Sequence, residues 1–451
     1  MNFLELVSFK YSSKFRFIMS KITFISTYPP IMCGIGNYLR DITAWFKPED
    51  YQILTFKKSK ALKYTSEEEL LNTKDIIPYN APLKAINEIN KVSKDSVIWI
   101  QHEFGIWHKQ EEFIELVKKI KSKKIITLHT MHFQSDETAY GLKEREYKFL
   151  EQILPLVDAI TVFSDGVYYA IKGAFPQYKN KIIEIRHGCK IYPDITRKLA
   201  KYSLTGFLLS SQHLSKNLKK QIETLSKIIY NKNVKLIGNF GFINFGKGSE
   251  TIYLLRDELE KSLPKKRIIS LYIGCIRNPK DTKQVEYLKS LKKFHDGKKN
   301  FFINLYVPEV IFPALLKAFD AYVFWPKGAT QSGRMADLQG AGACIVGKNL
   351  EGIGETLKIS GCPVINSYAG LLHSLKQILS RPNYQRWVEK EAKNYAKKFK
   401  WKTQAKKHLI LGNSLLKDKK RLPLLDQGYA NYLYEARFKE VKTPKTNKEE
   451  L

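Results

Sequence analysis

Residues Ala318 to Val346 read AFDAYVFWPKGATQSGRMADLQGAGACIV, and this stretch decides the fold. Ala321 to Trp325 is an apolar run with the length of a buried strand. A polar, glycine-containing loop follows (Lys327 to Ser332), then a segment with helical spacing, then a second short apolar run, Cys344 to Val346. Strand, loop, helix, strand is the unit of a doubly wound parallel sheet, whose ligands collect at the loop after the strand. Here the loop runs into a helix start at Ser332-Gly333-Arg334. Serine is a good N-cap, glycine lets a ligand approach the backbone, and free N–H groups there suit an anionic oxygen. Asp337 follows on the first turn or just beyond, and a carboxylate beside an anion cradle can hold sugar hydroxyls. The same residues also read as an ordinary strand–helix turn with a solvated aspartate, and the stretch alone leaves both readings open.

Outward from it, the whole chain alternates in the same way. In the first half, buried strands are expected at Lys21 to Thr27, Tyr51 to Phe56, Ser96 to Gln101, Lys124 to Leu128, Asp158 to Phe163 and Lys181 to Ile185. Gly34 and Gly36 lie in the turn between the first strand and its helix, where a phosphate or sugar can come close. Later strands end in His102-Glu103, His129, Ser164-Asp165 and His187-Gly188. In an open parallel sheet those ends share one edge, so His102, His129 and His187 are expected along one rim. The second half repeats the pattern with strands at Val234 to Phe240, Arg267 to Ile273 and Phe301 to Tyr306. Lys247 stands in a glycine-rich loop at a helix start, where it meets a phosphate as a mobile point charge or is simply solvated. Periodicity breaks around Tyr192 to Ser215, where the interdomain link is placed. Asp158 to Phe163 (DAITVF) and Asp320 to Phe324 (DAYVF) echo each other, as two similar sheets facing one cleft would.

Composition bounds the rest. A chain of 451 residues with 43% apolar content is globular and long enough for two or three domains. Its net charge of +32 suits anionic partners, such as nucleotide phosphates, acidic glycans or an anionic membrane face, or reflects lysines spread over every helix. No basic–aromatic recognition motif supports nucleic acid. Five scattered cysteines suit a reducing compartment, the cytoplasm, with no disulfide or zinc framework. No run approaches the ~18 apolar residues of a membrane span. Residues 1–20 lack a secretory core, and Met19 is an alternative start. Neither an HxxxH pair nor a DxD-like carboxylate pair points to a metal.

Taken in order, TYPPIMCGIGNY, IQHEFG, ITLHT, VFSDGV, IRHG, NFGFINFGKG, LYVPE, AFDAYVFWP and QSGRMADLQGAGACIV carry a resemblance. From about Lys21 to Leu411 the chain resembles the two-domain GT-B glycosyltransferases, specifically the retaining family 4 type. The resemblance implies an α/β fold of two Rossmann-like domains about a central cleft. It implies an acceptor-side domain over residues 21–200 and a donor-side domain over 215–383. Terminal helices over 384–416 would cross back to the first domain, where Trp401 fits, with a basic tail after 417. It implies that Gly34 and Gly36 approach the donor, that His129 is the histidine of the reaction centre, and that Lys247 binds the diphosphate. Asp337 takes the second acidic position of the family's paired-glutamate motif. Ser332, Gly333 and Arg334 would grip the diphosphate, and His102 and Glu103 would face the acceptor. The implied partners are a nucleotide-sugar donor and a glycan or lipid-linked acceptor, with no cofactor and no metal; the basic surface, for its part, suits either peripheral contact with an anionic inner membrane face or solubility alone. Two positions depart from the pattern. Ala329 stands at the first acidic position, and Phe242 stands where an arginine usually faces the diphosphate. These departures suit a divergent transferase subgroup or an inactive scaffold that binds sugar. An epimerase or phosphorylase on the same fold is a further reading, but no lysine lies in a context that suits pyridoxal phosphate.

Overall fold

The computed structural model describes residues 21–63, 72–419 and 421–429, so the N-terminal extension and most of the basic tail lie outside the described residues. Seven strands form the first sheet: β1 (Lys21–Ile25), β2 (Tyr51–Phe56), β3 (Thr73–Ile77), β4 (Ser96–His102), β5 (Lys124–Leu128), β6 (Ala159–Val162) and β7 (Ile182–Glu184). Their order is β3-β2-β1-β4-β5-β6-β7, with every pairing parallel. Six more form the second: β8 (Val234–Phe240), β9 (Arg267–Gly274), β10 (Asn300–Asn304), β11 (Ala321–Phe324), β12 (Ile345–Lys348) and β13 (Val364–Ile365). They run β10-β9-β8-β11-β12-β13, also parallel. Strand order reverses beside β1 in one sheet and beside β8 in the other, which places the ligand crevice at the tips of β1, β4, β8 and β11.

Side-chain alternation explains why both faces are covered. Along β4, Val97 and Trp99 enter one apolar cluster while Ile98 and Ile100 enter the other. A strand buried on both faces reads as an unbroken apolar run, as SVIWIQ does. The echo between DAITVF and DAYVF has a structural cause. Asp158 and Asp320 each stand just before a strand and accept the backbone N–H of a neighbouring chain segment, Lys124 at 2.7 Å and Leu236 at 2.9 Å.

Three segments differ from expectation. β3 (TKDII) and β13 (two residues) are short edge strands, too polar or too brief to read as buried runs. Residues Arg197–Ser210, inside the expected link, form a helix capped by Thr196. Its Ala200, Leu204 and Leu208 recur every four residues and belong to the second lobe's core, and its Lys201 ion-pairs with buried Asp320 at 3.1 Å. The terminal helices also part company. Pro382–Lys398 sends Val388 and Ala392 into the second core, whereas Trp401–Leu416 sends Ala405 and Leu411 into the first. The return crossing therefore lies at Phe399-Lys400. There it pairs with the outward crossing, the Cys189 N–H donating to Phe399 O at 2.9 Å and the Trp401 N–H to Cys189 O at 3.2 Å.

Candidate functional site

Between the lobes lies a cavity of about 640 Å³, lined from the first lobe by Gly34, Tyr38, Glu103, His129 and His187 and from the second by Lys247, Ser332, Gly333, Arg334 and Asp337. Each comes from a loop at a strand's carboxyl end or from the first turns of the helix behind it.

On the second lobe the helix Gly333–Gly340 begins at Ser332, whose hydroxyl accepts the Met335 N–H at 3.3 Å. The first amides of that helix are left for a ligand. Beside them stand three cations. Arg334 donates to Asn239 Oδ1 at 3.1 Å and to the Phe240 carbonyl, and its guanidinium lies 5.2 Å from the Phe324 ring centroid. Lys247 reaches in from the loop after β8, and Arg277 from the loop after β9. Among the described residues no carboxylate lies within ion-pair distance of any of the three. Burial first, then the nearby Arg334 and Arg277, holds the Lys247 amine well below its usual range. A site that gathers cations and leaves them unneutralised is built for an anion. Gly241 makes room for this: its φ is +100°, and a Cβ there would sit 2.7 Å from Arg334 Cδ.

Asp337 lies one turn into the helix, and Tyr192 OH donates to its Oδ1 at 2.9 Å. Burial raises this carboxyl to about 7. The Phe242 ring pairs with Tyr306 at 6.2 Å on the cavity wall, which Arg277 also lines. Ala329 packs against the second core and carries no polar group.

On the first lobe, His129 Nε2 pairs with the Gln101 side-chain amide at 2.8 Å, and its ring meets Tyr38 edge-on at 5.0 Å. Burial, then His187, lowers His129 to about 3, so it is neutral throughout the physiological range. His187 Nδ1 donates to the Gly188 carbonyl at 2.8 Å, which leaves Nε2 as the acceptor facing Gly333. Glu103 accepts from the Thr130 hydroxyl, and burial raises its carboxyl.

Two expected site residues lie elsewhere. His102, the last residue of β4, points to the opposite face of the sheet, stacked on Phe149 at 4.4 Å with Nε2 on Gln110 at 3.3 Å. Strand alternation is the reason: Gln101, one residue earlier, takes the side that meets His129. Gly36 does not line the cavity. A Cβ there would meet Thr27 O and Tyr28 Cα at 3.2 Å, so it serves the close approach of helix to loop, while Gly34 has open space. Sequence reasoning missed Tyr38, Gln101, Tyr192 and Arg277. Arg277 was within reach of the strand-end rule, as it lies three residues past the end of β9, whereas Tyr38 and Tyr192 gave no signal apart from their neighbours in space.

Among the described residues, the carboxylates close enough to share a cation are Asp165, Glu184 and Glu355, and the Arg186 guanidinium stands among them within 3.1 Å of each.

No family model matches the chain, and no curated protein matches it by sequence. Solved structures do match. An α,α-trehalose-phosphate synthase (UDP-forming) from Burkholderia vietnamiensis superposes with a TM-score of 0.63 at 10% identity, over 90% of this chain and 100% of that one. Sucrose-phosphate synthase from Thermosynechococcus elongatus gives 0.63 at 13% identity, over 89% and 100%. HepE from Anabaena, solved with UDP-glucose, gives 0.59 at 13% identity, over 88% and 99%. The fold is GT-B. Identities this low speak for the GT-B architecture alone, and its two facing Rossmann-like lobes are the ones described above. Among the described residues, no helix of this GT-B chain is long and apolar enough to cross a membrane.

Proposed function

We propose that the chain is a glycosyltransferase that moves a hexose from a nucleotide diphosphate sugar to an acceptor hydroxyl, with retention at the anomeric carbon. The observation that carries this reading is the group of Lys247, Arg277 and Arg334, unneutralised beside the Ser332 helix start and across the cleft from His129. Likeness to synthases named as UDP-forming and to a protein solved with UDP-glucose supports it.

In this reading the bond from the anomeric carbon to the diphosphate oxygen breaks and the acceptor oxygen forms the new one, its hydroxyl proton passing to the departing diphosphate. The nucleoside diphosphate leaves as an anion held by the three cations and the amides at Gly333 and Arg334, the kind of charge stabilisation that dominates such steps. Asp337 accepts hydroxyls of the ribose. Neutral His129 hydrogen-bonds a hydroxyl of the transferred sugar, and Glu103 meets the acceptor, a glycan, a lipid-linked sugar or a sugar phosphate. With protein cations facing the diphosphate, no metal and no organic cofactor enters the scheme. The positive surface suits an acceptor or membrane face carrying negative charge.

Ala329 and Phe242 favour a second reading, a GT-B scaffold that binds nucleotide sugar without transfer. A thermal-shift screen against UDP-, GDP- and ADP-sugars, with and without chelator, followed by product analysis separates the two. Transfer or donor hydrolysis that falls away in His129→Ala supports the enzyme, and binding without turnover supports the scaffold. Binding to none of these sugars contradicts both.

A further inference from the structure

One helix of the second lobe, Glu351–Ile359, reaches into the first lobe with two carboxylates. Glu351 and Glu355 are one helical turn apart and lie on the same face. Glu351 accepts the backbone N–H groups of Phe133 at 2.9 Å and Gln134 at 3.2 Å, and its own N–H donates to Gln134 Oε1 at 3.0 Å. Glu355 accepts those of Asp165 at 3.0 Å and Gly166 at 2.9 Å, and takes the Arg186 guanidinium at 2.5 Å. Both carboxylates are buried, at 4% and 1% exposure. The amides of Phe133 and Gln134 belong to the loop that leaves β5 and begins at His129, and those of Asp165 and Gly166 to the first turn of the helix Asp165–Ala174 behind β6. Amides turned away from solvent need acceptors, and here each acceptor is a side-chain carboxyl oxygen from the opposite lobe. Glu351 holds a φ of +47°, a backbone conformation a non-glycine residue adopts only where its surroundings impose it.

A brace secures the arrangement from the far side. Arg186, three residues before the outward crossing at Cys189, bridges Glu355 to Asp165 and Glu184 of the first lobe. Asp426 then accepts the Arg186 N–H at 2.9 Å and Gln404 Nε2 at 2.9 Å, and Gly428 N–H donates to Asp165 Oδ1 at 2.7 Å. The segment 421–429 is thus tied to Arg186, Gln404 and Asp165, next to the two crossings.

We propose that Glu351 and Glu355 are positioning residues, a clasp from the donor lobe that sets the loop carrying His129 in register with the anion site of Lys247 and Ser332. Neither residue lines the cavity, so each acts through the first-lobe amides it holds. The role in turnover rests on the transferase reading, whereas the mechanical coupling does not.

The test uses full-length Glu351→Gln, Glu355→Gln and, as a milder perturbation of the same network, Asp426→Asn. Two readouts are taken: hydrogen exchange over residues 129–134 and 163–167, and kcat and KM with whichever of the UDP-, GDP- or ADP-sugars the wild type turns over. The clasp predicts faster exchange in both segments, the loop after β5 and the start of the helix Asp165–Ala174, with β4 and β8 still protected. It predicts a kcat lower by roughly 10²-fold, the scale of a misplaced reacting group, while donor KM stays within about threefold. Exchange confined to the substituted residue, or a lower melting temperature with kcat intact, overturns it. If the wild type turns over no nucleotide sugar, the transferase reading fails while the exchange experiment still decides whether the clasp couples the lobes.

Discussion

In the proposed reading Lys247 is the residue on which the chemistry turns. It lines the cavity with Arg334 and the more exposed Arg277 and has no acidic partner among the described residues, so its charge is a cost to the ligand-free protein and a benefit once an anion arrives. Lys247→Ala is therefore expected to lower kcat by about 10²–10³-fold, as loss of one charge-stabilising donor does. Its melting temperature should equal or exceed that of the wild type, and nucleotide should no longer raise it. Asp337 makes a pH prediction. Its folded-state value near 7 lies above that of an unfolded aspartate, so the folded protein holds the proton more tightly. The stability this confers is present at low pH and lost as pH rises through about 7. Donor affinity should move the other way, rising across the same window as the carboxylate becomes a full acceptor for ribose hydroxyls. Asp337→Asn should flatten both profiles, which melting curves and calorimetric titrations from pH 5 to 9 will read.

At the scale of elements, the strand tips and the turns behind them carry the site. Gly241 leaves β8 with φ +100° and with Arg334 in the space a side chain would fill. Gly241→Ala should cost about 1–3 kcal/mol in denaturant unfolding through backbone strain, and should weaken donor binding by displacing the guanidinium. Ser332→Ala removes the N-cap of the helix Gly333–Gly340, worth about 1 kcal/mol, and loosens the amides that face the anion. Elements of this kind were the most legible in the sequence. β2, β5 and β8 fall where their apolar runs begin and end, because a doubly buried parallel strand has no polar face to blur its limits. The helix Arg197–Ser210 was hidden because Pro193 and scattered polar residues mask an i, i+4 apolar stripe.

For the whole molecule, the two-lobed plan followed from ordered motifs and strand ends, but the composition of the cleft did not. His129, Lys247, Ser332, Arg334 and Asp337 meet at one cavity because switch points of two separate sheets face each other. His102 was misplaced because a rim position does not say which face the last side chain takes. Tyr38, Gln101 and Tyr192 act through contacts across long sequence separations, for which local pattern carries no trace. The central claim is that this cleft grips a nucleoside diphosphate through cations of the second lobe. Calorimetric titration of UDP, GDP and ADP into the wild type and Lys247→Ala, at low and high salt, tests it most directly. The account predicts saturable binding of at least one of the three to the wild type, weaker at high salt and lost in the variant. A folded wild type that binds none of them, or a Lys247→Ala variant that binds as well as the wild type, would contradict it.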